Sequence, residues 1–246
     1  MEGGHTVEPQ PRPHDEPPPL VVRAWRAWRH RGPRYAWHKA MRRSLGRWPG
    51  FKRKLVYADP REYWTLRGGV DYFREQEGQE LRTQRAEWLA RRISRYRPTS
   101  ILEVGCGYGK MIRALRACVD VPITGVDFSP SQLEMARVYL QGVDGVDLAL
   151  ASGTRLPFAD GSFDLVVTSA VILHNAPPVA DAIRREVVRV GRHFAAHNED
   201  VDVTYNRYGY DTSAWYLAEG IPLAEVGPIP SAPYDSQFCV AELWHR

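Results

Sequence analysis

Two histidines occupy positions from which a side chain could take part in acid–base chemistry. His174 and Asn175 follow the predicted strand 163–169 and its apolar extension 170–173. A second polar cluster, His197, Asn198, Glu199 and Asp200, follows a predicted strand at 192–196. Ligands of open parallel sheets bind beyond the carboxyl ends of strands, where a neutral imidazole can accept a proton near neutral pH. We therefore predict His174, and in second place His197, as general bases. A purely structural histidine is the alternative for each.

A glycine-rich loop follows a short apolar run at residues 101–110, which read Ile-Leu-Glu-Val-Gly-Cys-Gly-Tyr-Gly-Lys. Alternating glycines let the backbone come close to a ligand, and the N–H groups of the helix predicted behind them would face it. A dinucleotide-binding loop needs G-x-G-x-x-G, but counted from Gly105 or Gly107 the third glycine falls on Lys110 or Ile112. The loop thus predicts a nucleotide-like cofactor and disfavours NAD and FAD.

An acidic residue ends the next predicted strand. Asp127 comes 20 residues after Gly107, within the run Ile-Thr-Gly-Val-Asp-Phe-Ser-Pro at 123–130. A carboxylate at that distance can accept hydrogen bonds from both hydroxyls of a ribose, and Phe128 could cover one face of an adenine. The alternative is an aspartate that only caps a turn.

A third motif makes the pattern specific. Residues 156–169 read Leu-Pro-Phe-Ala-Asp-Gly-Ser-Phe-Asp-Leu-Val-Val-Thr-Ser, and residues 103–109 fit E-x-G-x-G-x-G. In order and spacing these segments resemble the small-molecule branch of the class I S-adenosylmethionine (SAM) methyltransferases, which includes enzymes of ubiquinone and menaquinone biosynthesis. The similarity covers about residues 100–190. It implies SAM as the cofactor.

The resemblance also implies a set of cofactor contacts. Glu103 would order the loop and, through water, the methionine ammonium of SAM. Ser152 departs from the family, which usually has an aspartate there that contacts the adenine amino group. A neutral hydroxyl accepts a weaker hydrogen bond than a carboxylate, by about 1 kcal/mol. The implied cofactor-binding residues are Glu103, Gly105, Cys106, Gly107, Asp127, Phe128, Ser152, Gly153 and Ser169.

Predicted strands and helices alternate from residue 101 onward. Apolar runs indicate strands at 101–104, 122–126, 147–150, 163–169, 192–196, 221–226 and 237–243. Helical periodicity indicates helices at 61–67, 72–94, 109–117, 130–141, 178–189 and 211–218. Such alternation implies an α/β fold, a doubly wound and mostly parallel sheet with helices on both faces. The resemblance makes it the seven-stranded, Rossmann-like methyltransferase fold with an N-terminal helical extension.

Basic residues are concentrated near the N-terminus of the 246-residue chain. Residues 21–58 contain twelve Lys or Arg and no Asp or Glu, whereas the rest of the chain has 21 basic and 29 acidic side chains. Six prolines lie within residues 1–20. We predict a disordered tail at 1–20, a basic Trp- and Arg-rich helical arm at 21–58, and the SAM-dependent methyltransferase domain at 59–246.

The basic arm has three candidate roles. It could lie on an anionic membrane surface, contact nucleic acid, or pack Trp25, Trp28 and Trp37 over the catalytic domain. No apolar run is long enough to span a membrane, and three cysteines without C-x-x-C spacing suggest neither disulfides nor zinc. We expect a cytoplasmic protein and predict no metal ligands. The alternative is a divalent metal bound by His174, His197, Glu199 and Asp200, which would polarise a hydroxyl pair of the acceptor.

The predicted activity is transfer of a methyl group from SAM to a small-molecule acceptor, at an oxygen of a polar metabolite or sugar. The tyrosine-rich segment 202–211 is predicted to wall the acceptor site. Tyr63, Trp64, Arg67 and Tyr72 are predicted to form a lid over the cofactor. Two alternatives stay open: an RNA methyltransferase that uses the basic arm, and a noncatalytic SAM-binding regulatory or scaffold protein.

Overall fold

The computed structural model describes residues 20–43, 48–230 and 236–244, and the chain forms two compact units, Met1–Ser44 and Leu45–Arg246. In the first unit, helix α1 spans Leu20–Arg43 and is interrupted at Gly32, whose φ of 83° is not helical and which precedes Pro33. The tail predicted at 1–20 lies outside the described residues except for Leu20. Among the described helices, none combines the length and hydropathy needed to cross a membrane.

The second unit is an α/β domain in which strands alternate with helices after an initial run of helices. Its described elements are, in chain order, α2 Pro49–Val56, α3 Pro60–Arg67, α4 Val70–Glu77, α5 Glu80–Ser94, β1 Ile101–Val104, α6 Lys110–Arg116, β2 Ile123–Asp127, α7 Pro130–Tyr139, β3 Val146–Leu150, β4 Phe163–Ser169, a 3₁₀ turn at Ile172–His174, α8 Pro177–Val190, β5 Gly191–Asp200, α9 Thr212–Ala218, β6 Leu223–Pro228 and β7 Ser236–Glu242.

In the described part of the chain, seven strands form one sheet in the order β3-β2-β1-β4-β5-β7-β6. Strands β1 to β5 pair in parallel, whereas β7 runs antiparallel to both β5 and β6. The strand order reverses between β1 and β4, which is where doubly wound sheets bind their ligands. The predicted fold, a mostly parallel seven-stranded Rossmann-like sheet, is confirmed.

Alternate residues of β1 face two hydrophobic cores, one on each side of the sheet. Ile101 packs with Leu89 of α5 on one side, and Leu102 packs with Ile183 of α8 on the other. A parallel strand that is buried on both faces is therefore apolar nearly throughout. Glu103 is the exception, since it shares the face of Ile101 and leaves only 3% of its surface exposed.

The single helix predicted at 72–94 is wrong, because two helices occupy this segment. Helix α4 ends at Glu77 with Gly78 as its C-cap, and α5 begins at Glu80. Apolar periodicity continues across the break, whereas glycine favours a helix end. The periodicity therefore hid a boundary that the glycine marks.

Two predicted strand limits are also wrong. The strand predicted at 192–196 continues to Asp200, because residues 194–200 pair with β7 on their outer side while β4 continues beside them. The apolar extension predicted at 170–173 is not a strand. Ala170 has a φ of 56°, and a 3₁₀ turn follows it. The chain thus leaves the sheet sharply after Ser169.

Candidate active site

A cavity of about 1030 Å³ opens at the carboxyl ends of β1, β2 and β4. Sites for one drug-sized ligand usually measure about 300–1,000 Å³, so this cavity has room for a cofactor and a second molecule. All nine residues predicted to bind the cofactor line it, and so does His174. The structure therefore brings the predicted cofactor residues and one predicted base into one space.

The loop after β1 takes a shape that requires glycine at its first position. Gly105 has a φ of 72°, which L side chains rarely adopt. A Cβ atom there would lie 2.5 Å from Cγ2 of Val171, well inside van der Waals contact. The N–H groups of Gly105 and Cys106 both donate to the carbonyl oxygen of Val126, at 2.7 and 3.0 Å. The loop is thus fixed between β2 and the turn that follows β4.

Asp127 holds the glycine loop from the end of β2. Its Oδ2 accepts a hydrogen bond from the N–H of Gly107 at 2.9 Å, and its Oδ1 accepts one from the N–H of Ser129 at 2.8 Å. Burial raises the pKa of this carboxyl, and the backbone donors act in the opposite direction. The carboxyl therefore stands at the edge of the cavity with its geometry already set, as a ribose-binding acid requires.

Glu103 offers a buried acceptor that the protein itself does not use. Its Oε2 has no hydrogen-bond partner among the described residues. Burial raises the pKa of this carboxyl well above its usual value, and the nearby carboxyl of Asp127 adds to the effect. A buried carboxyl without a donor is costly. A cationic group such as the methionine ammonium of SAM would supply the missing partner, so the residues present fit this cofactor.

The remaining predicted cofactor residues include small and aromatic side chains that also line the cavity. Arg61 places its guanidinium carbon 5.5 Å from the ring centroid of Phe128. The hydroxyls of Ser152 and Thr154 are 2.9 Å apart, and Ser169 accepts a hydrogen bond from the amide of a β5 asparagine at 2.7 Å. Ser152, which stands where the family resemblance predicts an aspartate, is therefore held by Thr154.

Cys106 lines the cavity as a thiol. It is buried, and burial raises the pKa of its thiol well above the usual value, with Glu103 and Asp127 contributing further. A raised pKa keeps the sulfur protonated, and a thiol is a weak nucleophile. We therefore assign Cys106 a packing role, as the small buried side chain between Gly105 and Gly107.

His174 lies on the cavity wall with its ring held in one orientation. Its Nδ1 is 2.6 Å from the carbonyl oxygen of Asn206. A carbonyl oxygen only accepts, so Nδ1 carries the proton and Nε2 carries the lone pair. Burial lowers the pKa of His174 to about 3. The ring is therefore neutral at physiological pH, and Nε2 is the atom that can accept a proton.

The structure does not bring His197 to the cavity, contrary to the prediction of a second base. Side chains alternate across a strand, so Asn198 and Asp200 line the cavity while His197 and Glu199 lie on the opposite face of β5. Burial lowers the pKa of His197 to about 3. We assign it a structural role, because its Nε2 lies 2.7 Å from the hydroxyl of Tyr216.

A chain of hydrogen bonds runs from that histidine to the turn after β4. Nδ1 of His197 is 2.8 Å from Oγ1 of Thr168, and this hydroxyl donates to Glu199 at 2.8 Å. Glu199 then accepts from the N–H of Val171 at 3.2 Å and from that of Leu173 at 3.1 Å. Glu199 thus fixes the turn that leads to His174. The sequence places Glu199 in the polar cluster after the predicted strand 192–196, but nothing in it indicates this role.

Helix α3 and the segment that joins it to α2 line another side of the cavity. The hydroxyl of Tyr57 donates to the carbonyl oxygen of His174 at 2.6 Å, and Nε1 of Trp64 donates to the same hydroxyl at 3.1 Å. The ring of Trp64 lies 4.7 Å from that of His174. Of the four residues predicted as a lid, Trp64, Arg67 and Tyr72 line the cavity, whereas Tyr63 is buried and does not. Tyr57 had no signal in the sequence.

The loop between β5 and α9 forms the opposite wall, as predicted for 202–211. Tyr205, Asn206, Arg207 and Tyr208 line the cavity. Arg53 of α2 fastens this loop by donating to three of its backbone carbonyl oxygens: that of Thr204, that of Tyr205 at 3.2 Å and that of Arg207 at 2.5 Å. The wall beside His174 is therefore tied to helix α2.

Two arginines meet one acid near this wall. Arg85 and Arg207 both pair with Asp200, at 3.0 and 3.2 Å. Hydrogen bonds and these two cations hold the pKa of the Asp200 carboxyl below its usual value, although burial acts in the opposite direction. In the part of the chain that the structure describes, no group of three His, Cys, Asp or Glu side chains is arranged to hold a metal ion.

Comparison with known proteins agrees with this geometry. Residues 101–193 match the family model of a methyltransferase domain. The chain is 33% identical over 133 residues to methyltransferase GfsG of Streptomyces halstedii. This aligned region covers 53% of this chain and 45% of that protein. It is 34% identical over 99 residues to O-methyltransferase rstn1 of Aspergillus nomiae, covering 39% and 44% of the two chains. The chain thus spans less than half the length of these curated relatives.

A solved structure shows the same fold. The PH0226 protein of Pyrococcus horikoshii OT3 superposes with a TM-score of 0.59 at 20% identity, over 71% of this chain and 99% of that one. The strand order, the glycine loop with its two carboxyls and the matched family model agree. Residues 101–193 carry a SAM-dependent methyltransferase domain, built on a Rossmann-like sheet.

Proposed function

We propose that the protein transfers a methyl group from SAM to an oxygen of a small polar molecule. One observation carries the proposal: a single cavity is lined by the glycine loop with Glu103 and Asp127, and also by His174 with its Nε2 lone pair. Two of the similar proteins support the class of reaction, since one is named a methyltransferase and the other an O-methyltransferase.

The residues of this chain divide the work between binding and proton transfer. When bound, SAM supplies a methyl group on a positively charged sulfur. Glu103 offers its free carboxyl oxygen to the ammonium, and Asp127 offers its carboxyl to the ribose. The guanidinium carbon of Arg67 lies 4.9 Å from the ring centroid of Tyr72. Its positive charge would pair with the carboxylate of the methionine part of SAM. These contacts orient the cofactor against the acceptor wall.

His174 acts on the acceptor. A hydroxyl gains nucleophilic strength when its proton is removed, and Nε2 of His174 is placed to accept that proton. The pKa of about 3 makes His174 a weak base, so alignment of the two molecules supplies much of the rate, up to about 7–11 kcal/mol in favourable cases. The tyrosine-rich wall with Asn206 suits a small polar acceptor such as a sugar.

Supplying methyl-labelled SAM together with a metabolite extract tests the proposal. We expect a labelled small product, and the variant His174→Gln should lower its formation by about a hundredfold or more while SAM still binds. His193→Gln is the matched control, because that half-buried ring pairs with Asp164 and does not line the cavity. Incorporation of the labelled methyl group into RNA would show that the acceptor is a nucleic acid and not a small molecule. Binding of SAM without any labelled product would indicate a noncatalytic protein.

A further inference from the structure

The outer face of helix α2 presents large apolar side chains to solvent. Trp48, Phe51 and Leu55 are 64%, 57% and 37% exposed. They stand at the N-cap, three residues further and four residues further again, so they share one side of the helix. Lys54 is exposed at the edge of the same side. We call these four side chains the outer α2 face.

The inner side of α2 is fixed to the domain, so the helix cannot turn to bury its outer face. Val56 is 3% exposed, and Nζ of Lys52 lies 4.2 Å from the ring centroid of Tyr205. Arg53 is bonded to the backbone of the 204–207 loop. Because these contacts also build the cavity wall, the exposed apolar face is a stable feature of the fold.

Basic residues are concentrated in the part of the sequence that contains α2. All twelve basic residues of 21–58 occur without any acid, whereas the remaining chain is acidic on balance. In the first unit, α1 likewise exposes Trp25, Trp28 and Trp37, at 49%, 53% and 45%. Exposed tryptophans among lysines and arginines are typical of segments that lie at a lipid–water interface.

We propose that the outer α2 face docks the protein on an anionic membrane surface. Trp48, Phe51 and Leu55 would enter the boundary between headgroups and acyl chains, about 5–10 Å deep. Lys54 would contact the anionic headgroups and raise the partition by about fivefold. The inner side of α2 holds the acceptor wall, so docking places that wall within about one helix diameter, ~10 Å, of the lipid.

Lipid fits the outer α2 face better than nucleic acid does. Leu55 is aliphatic and cannot stack on a base, yet it suits acyl chains. Arg53, the arginine of α2, already donates hydrogen bonds to backbone carbonyl oxygens and is not directed at a phosphate.

Sedimentation of the full chain with vesicles tests this proposal. Vesicles of phosphatidylcholine with phosphatidylserine should bind the protein, and vesicles of phosphatidylcholine alone should bind it weakly. The triple variant Trp48→Ser, Phe51→Ser, Leu55→Ser should lower the partition by about tenfold or more. The matched control is Val138→Ser, Leu150→Ser, Leu217→Ser, at side chains that are 64%, 60% and 60% exposed elsewhere. This control should bind as the unaltered protein does.

Thermal unfolding shows whether each variant keeps its fold. If the triple variant unfolds, the single charge reversal Lys54→Glu takes its place and should lower the partition by about fivefold or more. The proposal is overturned if the variants bind vesicles as well as the unaltered protein, or if both vesicle types bind equally. Binding to single-stranded RNA without binding to vesicles would overturn it as well.

Discussion

The Nδ1–H of His174 donates to the backbone carbonyl oxygen of Asn206 at 2.6 Å. The orientation of the proposed base is thus set by a loop whose neighbouring carbonyls are bonded to Arg53. A residue on helix α2 therefore acts on His174 through the loop between them. The lid and the acceptor wall form one connected structure.

Replacing Arg53 should disturb the acceptor side and leave the cofactor side intact. Arg53→Ala removes hydrogen bonds from a charged donor, which are worth about 1.5–3 kcal/mol each. We expect methyl transfer to fall by about tenfold or more, with SAM affinity within about twofold of the original. Calorimetry with SAM and turnover assays measure the two effects. Lys54→Ala is the control on the same helix, and an equal loss in both variants would contradict this role.

Acid should destabilise the protein through His197. Its pKa is lowered to about 3 in the folded protein, so the unfolded chain binds the proton more readily. The stabilising contribution is thus complete above the unfolded pKa of about 6.5 and is lost as the pH falls through and below that value. We expect His197→Gln to reduce the pH dependence of the free energy of unfolding by about 1 kcal/mol between about pH 7 and about pH 5.5. Urea unfolding at the two pH values measures it, and equal pH dependence in both proteins would refute it.

Gly105→Ala should impair the cofactor loop for two separable reasons. The added Cβ would lie 2.5 Å from Cγ2 of Val171, and the φ of 72° is strained for alanine. We expect a lower midpoint of thermal unfolding and at least about tenfold weaker SAM binding. In the double variant with Val171→Ala the clash is relieved but the strain remains, so part of the loss should return. Full SAM affinity in the single variant would contradict the rigid loop.

The parts of the site that were predictable are those with local causes. A four-residue strand that is apolar except for Glu103, a glycine loop and Asp127 all lie within the 27 residues 101–127. Their structure depends on strand periodicity, turn chemistry and the end of the next parallel strand. Nothing distant in the sequence is needed to place them.

The misplaced residues depend on a distant partner. His197 and Asp200 were predicted to follow a strand, but both pair with β7, Asp200 with Ser236 and His197 with Cys239. Polar side chains at the end of a strand look like a loop until that partner is known. Once they belong to β5, alternation decides the rest: Asp200 reaches the cavity and His197 does not.

Asp127→Asn should weaken SAM binding more than any exposed acid would. The carboxyl accepts from the N–H groups of Gly107 and Ser129 on its two oxygens, and an amide can accept on only one side. We expect SAM affinity to fall by about tenfold to a hundredfold. Asp147→Asn, on the exposed side of β3, is the matched control. If calorimetry gives similar SAM dissociation constants for the two variants, Asp127 does not bind the cofactor.

Glu199→Gln should loosen the turn that carries His174 without touching the cavity wall directly. Both oxygens of Glu199 accept from donors, namely Oγ1 of Thr168 and the N–H groups of Val171 and Leu173. A glutamine amide would turn its own N–H groups toward one of these donors, which leaves a buried group unpaired at about 1–3 kcal/mol. We expect a lower free energy of unfolding and a fall in turnover that exceeds the change in SAM affinity. Glu225→Gln, on the edge strand β6, is the control. If it lowers turnover as much as Glu199→Gln does, the effect is general destabilisation and Glu199 does not position His174.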